Sequence, residues 1–246
     1  MSITYFPPNP AAAALLQFPN GAWHQDGYTT LTTTIPNPTS TAAIVVGSTT
    51  GFLSAGALLI DSEIIKYTGI TPTSFTGITR GAYGSTAASH TAGVYVSEAQ
   101  PVPSATTALA ISFTATDTSN QIYVDPLDKT KIVYSVAGYY NIQFSAQLLS
   151  YDGSVDDVCL WFRQNGTDVA NSLGLVTVPS IHAGKPGAAI VSWNIVLPIQ
   201  EGENTQLMMS SLTGNTVAAT YPPQTSPTRP SSPSIILTAT FVSGLY

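Results

Sequence analysis

The sequence predicts an all-β protein with a small N-terminal β module, a C-terminal antiparallel jelly-roll sandwich and no substantial helix. Only 8% of the 246 residues are charged, whereas long solvated helices need Lys, Arg and Glu in quantity. The chain instead contains 33 Thr and 26 Ser, and Thr together with Val, Ile and Tyr favours pleated strands. Apolar residues make up 43% of the sequence, so a disordered chain is excluded and a sizeable core is expected.

Residues 1–34 are predicted to form an extended Pro- and Ala-rich arm and lead-in. The first ten residues contain three prolines, which exclude a regular helix or a central strand there. Such an arm is either flexible or laid against a neighbouring subunit, where aromatic side chains contribute most to binding. The interface residues predicted in this segment are Phe6, Phe18 and Trp23.

Residues 35–100 are predicted to form a small β module of short strands separated by glycines at turn-like spacing. Residues 56–69 are typical of a hairpin that turns at Asp61 and Ser62. His90 is expected to make a structural hydrogen bond. The three histidines of the chain are scattered without partners at metal-ligand spacing, so no metal site is predicted.

The module resembles a known β module on specific residues. The strand Ile60-Asp-Ser-Glu-Ile-Ile-Lys-Tyr-Thr-Gly69 is followed by Gly77-Ile-Thr-Arg-Gly81, Gly84-Ser-Thr86, His90 and Gly93. This pattern is similar to a module that recurs in tail, baseplate and fibre proteins of tailed bacteriophages. The resemblance implies a virion protein.

Residues 101–246 are predicted to form the jelly roll, because their strands alternate well. In residues 138–148, apolar side chains recur at every second position and share one face. Asn165-Gly166 predicts a two-residue hairpin, since both positions tolerate positive φ. Residues 188–197 and 205–212 are predicted to form a second hairpin around residues 200–204.

Residues 221–234 contain five prolines and are predicted to form a long surface loop. Tyr221 and Arg229 are its predicted interface residues. Two interpretations stay open, a rim for a partner and a stiff connector. Residues 234–242 are predicted to form the closing strand.

The second domain also resembles a known fold. The segments GYYNIQFSAQL, VCLWFRQNGTDV, WNIVL and PSIILTATFV are similar to the C-terminal jelly roll of phage virion proteins and, more distantly, to the trimeric domain of the C1q and tumour necrosis factor families. In that wider family a Gly-x-Tyr-x-Phe strand builds the core and three subunits pack side by side. The resemblance implies a homotrimer. Tyr139 or Tyr140, together with Phe144, stands at the matching positions, and Tyr140 and Phe144 are counted among the predicted interface residues.

No catalytic constellation and no cofactor motif are found in the sequence. Asp152, Asp156 and Asp157 are interpreted as a solvated turn, with a weak Ca²⁺ site or a glycosidase carboxylate pair as alternatives. Cys159 is expected to be a small buried hydrophobe. Trp161 and Trp193 lie in apolar strands and are predicted to pack in the core, the alternative being a sugar-stacking surface.

The charge pattern excludes two classes of partner. The net charge is −6 and no run of Lys or Arg exists, so neither nucleic acid nor an anionic membrane is an expected partner. The apolar stretches are too short to span a bilayer, and no secretory signal is predicted at the N-terminus.

These observations predict a non-enzymatic structural protein on the virion surface of a tailed phage. The favoured role is a trimeric capsid decoration or cement protein that bridges capsomers, with itself and the major capsid protein or another virion protein as partners. A tail or head fibre whose jelly roll binds a host glycan or receptor is the alternative, and a depolymerase is the least favoured reading.

Overall fold

The computed structural model describes residues 18–104 and 106–245, which form 22 β-strands and no helix. The all-β prediction is therefore confirmed over these residues, and none of them belongs to a helix able to cross a membrane. The first strands are β1 (Asn20–Gln25), β2 (Tyr28–Thr30), β3 (Ile44–Val45), β4 (Gly56–Ile60), β5 (Glu63–Tyr67), β6 (Gly69–Thr71), β7 (Ser74–Thr76), β8 (Tyr95–Pro101), β9 (Leu109–Ala110), β10 (Ala115–Asn120) and β11 (Ile122–Val124). The others are β12 (Ile132–Tyr134), β13 (Gly138–Ser150), β14 (Asp156–Gln164), β15 (Thr167–Asp168), β16 (Gly174–Val178), β17 (Gly187–Ile199), β18 (Asn204–Ser211), β19 (Thr216–Ala219), β20 (Gln224–Thr225), β21 (Thr228–Arg229) and β22 (Ile235–Ser243).

Eight of these strands form the sandwich, four in each sheet. One sheet has the order β1-β22-β13-β17 and the other has the order β12-β18-β14-β16. Numbered along the chain within the sandwich, the orders are 1-8-3-6 and 2-7-4-5. This alternation between sheets is the strand order of a jelly roll, as the sequence predicted.

The first strand of the jelly roll lies inside the predicted arm, which corrects that prediction for residues 20–25. β1 is an inner strand between β10 and β22, in register from Asn20 opposite Thr240 to Gln25 opposite Ile235. The prolines that argued against a strand all lie before residue 20, so they do not affect this segment. The rest of the predicted arm, residues 1–17, lies outside the described residues.

The small β module is inserted between the first two strands of the jelly roll. It comprises β2 to β8, and β8 pairs with β4 of the module on one side and with β19 of the jelly roll on the other. One ten-stranded sheet therefore runs through both parts and across the predicted boundary at residue 100. The exact division into domains stays a prediction.

Three apolar clusters pack on the two faces of this shared sheet. Residues paired across neighbouring strands share a face of the sheet, and so do residues two apart along one strand. Leu148 of the jelly-roll core is paired with Ala218, Ala218 is paired with Gln100, and Glu98, two residues from Gln100, is paired with Leu58 of the module core. The jelly-roll core and the module core therefore lie on the same face. The third cluster occupies the opposite face and draws residues from both parts: Ala57, Leu59, Ile64, Ala82, Ala99, Leu149, Tyr151, Val217 and Ala219. The third cluster fastens the module to the jelly roll.

Two predicted hairpins are confirmed and one is wrong. Asp61 and Ser62 connect β4 to β5, and Asn165 and Gly166 connect β14 to β15, with Asp61 and Asn165 at positive φ. The segment 200–204 is not a hairpin, because β17 pairs with β13 whereas β18 pairs with β14 in the other sheet. Strand alternation and turn residues predict a reversal of the chain, but they do not say in which sheet the next strand lies.

Candidate functional site

The motif residues of the module meet in a buried network of charged side chains. The Arg80 guanidinium donates to both oxygens of the Glu63 carboxylate at 2.7 Å. His90 Nε2 lies 2.8 Å from Glu63 Oε2, and His90 Nδ1 lies 2.8 Å from Asp61 Oδ2. Two backbone N–H groups also donate to Glu63 at 2.9 Å. The sequence prediction of a structural hydrogen bond at His90 is confirmed.

The acidic and basic groups of this network stabilise one another's charged forms. Burial opposes ionisation of Glu63, but hydrogen bonds from His90 and Arg80 lower the pKa of its carboxyl to about 2. Burial likewise opposes the charged form of His90, yet the carboxylates of Glu63 and Asp61 raise the pKa of its imidazole. Because each Glu63 oxygen already accepts at least two hydrogen bonds, the arrangement is suited to fastening strands and loops rather than to catalysis.

Another motif residue places the module against the jelly roll. Gly84 has φ +78°, and a Cβ at this position would lie 3.2 Å from the backbone of Asp152. The neighbouring Tyr83 packs against the third apolar cluster. The residues of this motif therefore build the module and position it against the sandwich.

Three of the predicted interface residues are core residues, which corrects those predictions. Trp23 is 0% exposed, and Tyr140 and Phe144 are also buried in the jelly-roll core. The physical reason is the period of two, which turns Tyr140 and Phe144 inward along β13 and Trp23 inward along β1. Phe6 lies outside the described residues.

The other three predicted interface residues are exposed. Phe18 stacks on Phe241 with ring centroids 5.7 Å apart. Tyr221 and Arg229 lie on one exposed hairpin, in which β20 pairs with β21 and Tyr221 exchanges backbone hydrogen bonds with Ser232 at 2.9 and 2.8 Å. The segment 221–234 is therefore a structured hairpin where a plain surface loop was predicted.

A cleft of about 470 Å³ lies beside this hairpin, where the module meets the jelly roll. Its floor is the face of the shared sheet that carries the third apolar cluster, with Leu59 from the module and Leu149 from the jelly roll. Tyr95, Tyr151 and Tyr221 line it, and within the described residues none of their hydroxyls has a hydrogen-bond partner. Sequence reasoning brought only Tyr221 forward, because the two other tyrosines come from distant strands.

An apolar flank lies where β16 and β17 form the adjacent edges of the two sheets. β17 is 13 residues long, contains no charged residue and pairs only with β13 among the described strands. Ile190 and Val196 lie on the outer face of β17 and Trp193 on its inner face, and they are 72%, 51% and 47% exposed; Leu175, on the outer face of β16, and Leu173, which precedes β16, are also exposed. We call these five residues the apolar flank.

Trp193 and Trp161 are not core residues, contrary to the sequence prediction. Trp193 lies opposite Phe144 on the inner side of the sheet, but no further strand covers it because β17 is an edge. On β14 the residues Val158, Leu160 and Phe162 point inward. Trp161 is consequently turned to the outer face, where its Nε1 donates to Asp168 at 2.9 Å.

Cys159 shares the outer face of β14 and is half-buried, not a core residue as predicted. Burial raises the pKa of its thiol, with Asp157 adding to the shift. A thiol whose pKa is raised is a poor nucleophile.

The three aspartates of the predicted turn have separate roles. Asp156 is buried at the start of β14 and accepts a hydrogen bond from the Thr216 hydroxyl at 2.7 Å, so the solvated-turn interpretation is wrong for it. Asp152 and Asp157 accept hydrogen bonds from other partners. In residues 18–104 and 106–245, no three His, Cys, Asp or Glu side chains are grouped as ligands of a metal ion.

Comparisons with known proteins give similarity to solved structures alone. No protein-family model matches the chain, and no curated protein matches it. Among solved structures, the globular domain of zebrafish complement 1qA protein is similar at 10% identity and a TM-score of 0.35, over 60% of this chain and 93% of that one. These values assign neither a family nor a function to the chain.

Proposed function

We propose that the chain is a non-catalytic structural protein of a tailed-phage virion, which assembles as a homotrimer and decorates the capsid by bridging capsomers. The observation that carries the proposal is the apolar flank. A long, uncharged edge strand with exposed apolar side chains promotes aggregation unless another chain covers it. Self-association in a closed ring is a common way for a protein to cover such a surface.

The flank has the composition of a subunit interface. It combines a tryptophan with branched aliphatic side chains and contains no Lys, Glu or Asp, which are the residues depleted from interface centres. Trp193 sits at the centre of β17, where an adjoining subunit would bury it completely. The resemblance of the module motif and the jelly-roll strands to phage virion proteins supports the virion role.

A host-binding fibre is the second candidate, and the hairpin 221–232 favours it. Residues 224–231 are all exposed. The base of the hairpin is anchored to β13, since Gln147 Nε2 donates to Ser232 Oγ at 2.6 Å and to the Pro233 carbonyl oxygen at 2.7 Å. An exposed hairpin on a fixed base is suited to contact a receptor.

The trimer is tested by light scattering behind a sizing column. The wild-type protein is expected at three times the subunit mass. A double variant, Ile190→Lys with Val196→Lys, places two charges on the apolar flank and is expected to be monomeric, because burying unpaired charges opposes association. Leu127→Lys is the matched control, since Leu127 is 96% exposed and lies between β11 and β12, away from the flank.

A monomeric wild-type protein, or a double variant that stays trimeric, contradicts the assembly proposal. The virion role is tested separately by immunogold electron microscopy of the phage whose genome encodes the chain. Gold on the head supports decoration, gold on the tail supports the fibre, and unlabelled particles contradict both.

A further inference from the structure

We infer that the cleft between the module and the jelly roll is a binding site for a neutral oligosaccharide. This inference does not depend on the proposed virion role. It rests on the residues that line the cleft, on the hydrogen-bonding groups left open there, and on the absence of positive charge among them.

Aromatic side chains from three separate elements line the cleft. Tyr95 comes from β8, Tyr151 follows β13, and Tyr221 stands at the base of the exposed hairpin. Burial, with a smaller contribution from the nearby Tyr221, raises the pKa of Tyr151 to about 12, and burial also raises the pKa of Tyr221. Both phenols are therefore neutral donors at physiological pH. Sugar rings bind to aromatic side chains through their apolar C–H faces, as other ligands with apolar bodies do.

Polar groups without partners surround these rings. The three phenol hydroxyls have no hydrogen-bond partner within the described chain. His90 occupies Asp61 Oδ2, and the other oxygen of this 54% exposed carboxylate has no partner there. Ser62 adds a hydroxyl, and Gln224 adds an amide whose Nε2 donates to the Pro222 carbonyl oxygen at 3.3 Å. A ligand with many hydroxyl groups satisfies such a mixture of donors and acceptors, and the volume of about 470 Å³ is typical of small-molecule sites.

The charged groups that line the cleft disfavour some classes of ligand. Asp61 is its charged residue, and no Lys, Arg or His lines it. Asp61 is already paired with the buried His90, and the lining residues within the described chain supply no cation that is free for an anionic ligand, which disfavours sialylated, sulfated and phosphorylated ligands. A proline-rich peptide is also able to dock on tyrosines, but it offers few groups for the open hydroxyls and the carboxylate. The chemistry therefore favours a neutral sugar.

The first test is an array of oligosaccharides that carries neutral, sialylated and sulfated members. The full-length protein is expected to bind neutral members and not the anionic ones. Calorimetric titration with the best neutral member follows. Tyr221→Ala is expected to weaken binding about tenfold or more, and Tyr151→Phe, which removes one hydroxyl, to weaken it several-fold.

Controls separate loss of binding from loss of fold. Tyr123→Ala changes a tyrosine that is 43% exposed, against 37% for Tyr221, on a strand outside the cleft. It is expected to bind like wild type. Thermal unfolding of every variant reports on the fold, and Tyr221→Phe serves if Tyr221→Ala is destabilised, because it keeps the ring, removes one hydroxyl and is expected to weaken binding several-fold, as Tyr151→Phe does.

Three results would overturn the inference. They are an array on which no neutral oligosaccharide binds, an affinity that Tyr221→Ala and Tyr151→Phe leave unchanged, and a preference for anionic members. Binding of a synthetic proline-rich peptide in place of neutral sugars would overturn it in favour of a peptide groove. None of these results bears on whether the protein is trimeric or virion-bound, so failure here is distinguishable from failure of the proposed function.

Discussion

Two buried glutamates of the module occupy opposite electrostatic environments. Glu63 accepts hydrogen bonds from Arg80 and His90, which hold its pKa near 2 against the effect of burial. Glu98 is equally buried and accepts a backbone hydrogen bond from Leu53 at 3.2 Å, but no cation faces it, and burial raises its pKa to about 7. Whether a buried carboxylate stabilises the fold therefore depends on whether a cationic side chain is paired with it.

Glu63→Gln is expected to destabilise the protein by about 3–5 kcal/mol at pH 7, because it leaves the buried Arg80 without a carboxylate. The folded pKa of Glu63 is depressed from 4.5 to about 2, so its contribution is present above pH 4.5 and is lost as the pH falls towards 2. Urea unfolding at several pH values measures both effects. Asp168→Asn, which breaks the more exposed pair with Arg163, should cost about 0–1 kcal/mol. Equal losses in the two variants would contradict the special role of the buried network.

Glu98→Gln is expected to act in the opposite direction. Because the folded pKa is raised from 4.5 to about 7, the folded state binds more protons than the unfolded state between these values, and wild-type stability falls as the pH rises through that window. The variant removes this slope, so it should be more stable than wild type at pH 8 and nearly equal to it at pH 4. Urea midpoints at pH 4, 5.5 and 8 test the prediction, with the exposed Glu201→Gln as control. A Glu98→Gln variant less stable than wild type at pH 8 would contradict the prediction.

At the scale of elements, the sequence predicted strands better than it predicted their neighbours. β13 was predictable because five apolar residues alternate over eleven positions, and the structure buries all of them. β1 was missed because prolines just before it dominated the interpretation of the N-terminal segment. The connection at residues 200–204 was assigned to one sheet because period-two alternation carries no information about which sheet receives a strand.

The two candidate surfaces show the same limit. The aromatic and branched residues of β17 were visible in the sequence, but core and edge strands share one composition, so the exposure of Trp193 depended on the strand order. The tyrosines of the cleft lie far apart in the chain and meet only because β8 and β13 flank β19 in the shared sheet and the hairpin follows β19. The local sequence pattern predicts the secondary structure and the chemistry of a residue, whereas the strand topology determines which residues lie beside it.

At the scale of the whole molecule, the module is an insertion whose two ends meet. The backbone N–H of Glu98 donates to the Gly27 carbonyl oxygen at 2.6 Å. Residues 28–97 thus leave and re-enter the jelly roll at one point, as is usual where one domain tolerates the insertion of another. The module core lies within this insertion, whereas the third apolar cluster is divided between the insertion and the jelly roll.

Removal of residues 28–97, with Gly27 joined to Glu98 through a short Gly-Ser linker, is expected to leave a folded jelly roll of lower stability. The eight sandwich strands and their core are retained, but Leu149, Val217 and Ala219 lose their cover. Exposing this apolar surface costs free energy and promotes aggregation. A second shortened variant that also carries Leu149→Ser and Val217→Thr should therefore be more soluble than the first.

Near-ultraviolet circular dichroism and thermal unfolding measure the fold, and light scattering measures the assembly. Because the apolar flank lies on β16 and β17 outside the deleted segment, both shortened variants are expected to remain trimeric. If the second variant is unfolded, the shared sheet is one cooperative unit and the module is an integral part of the jelly roll.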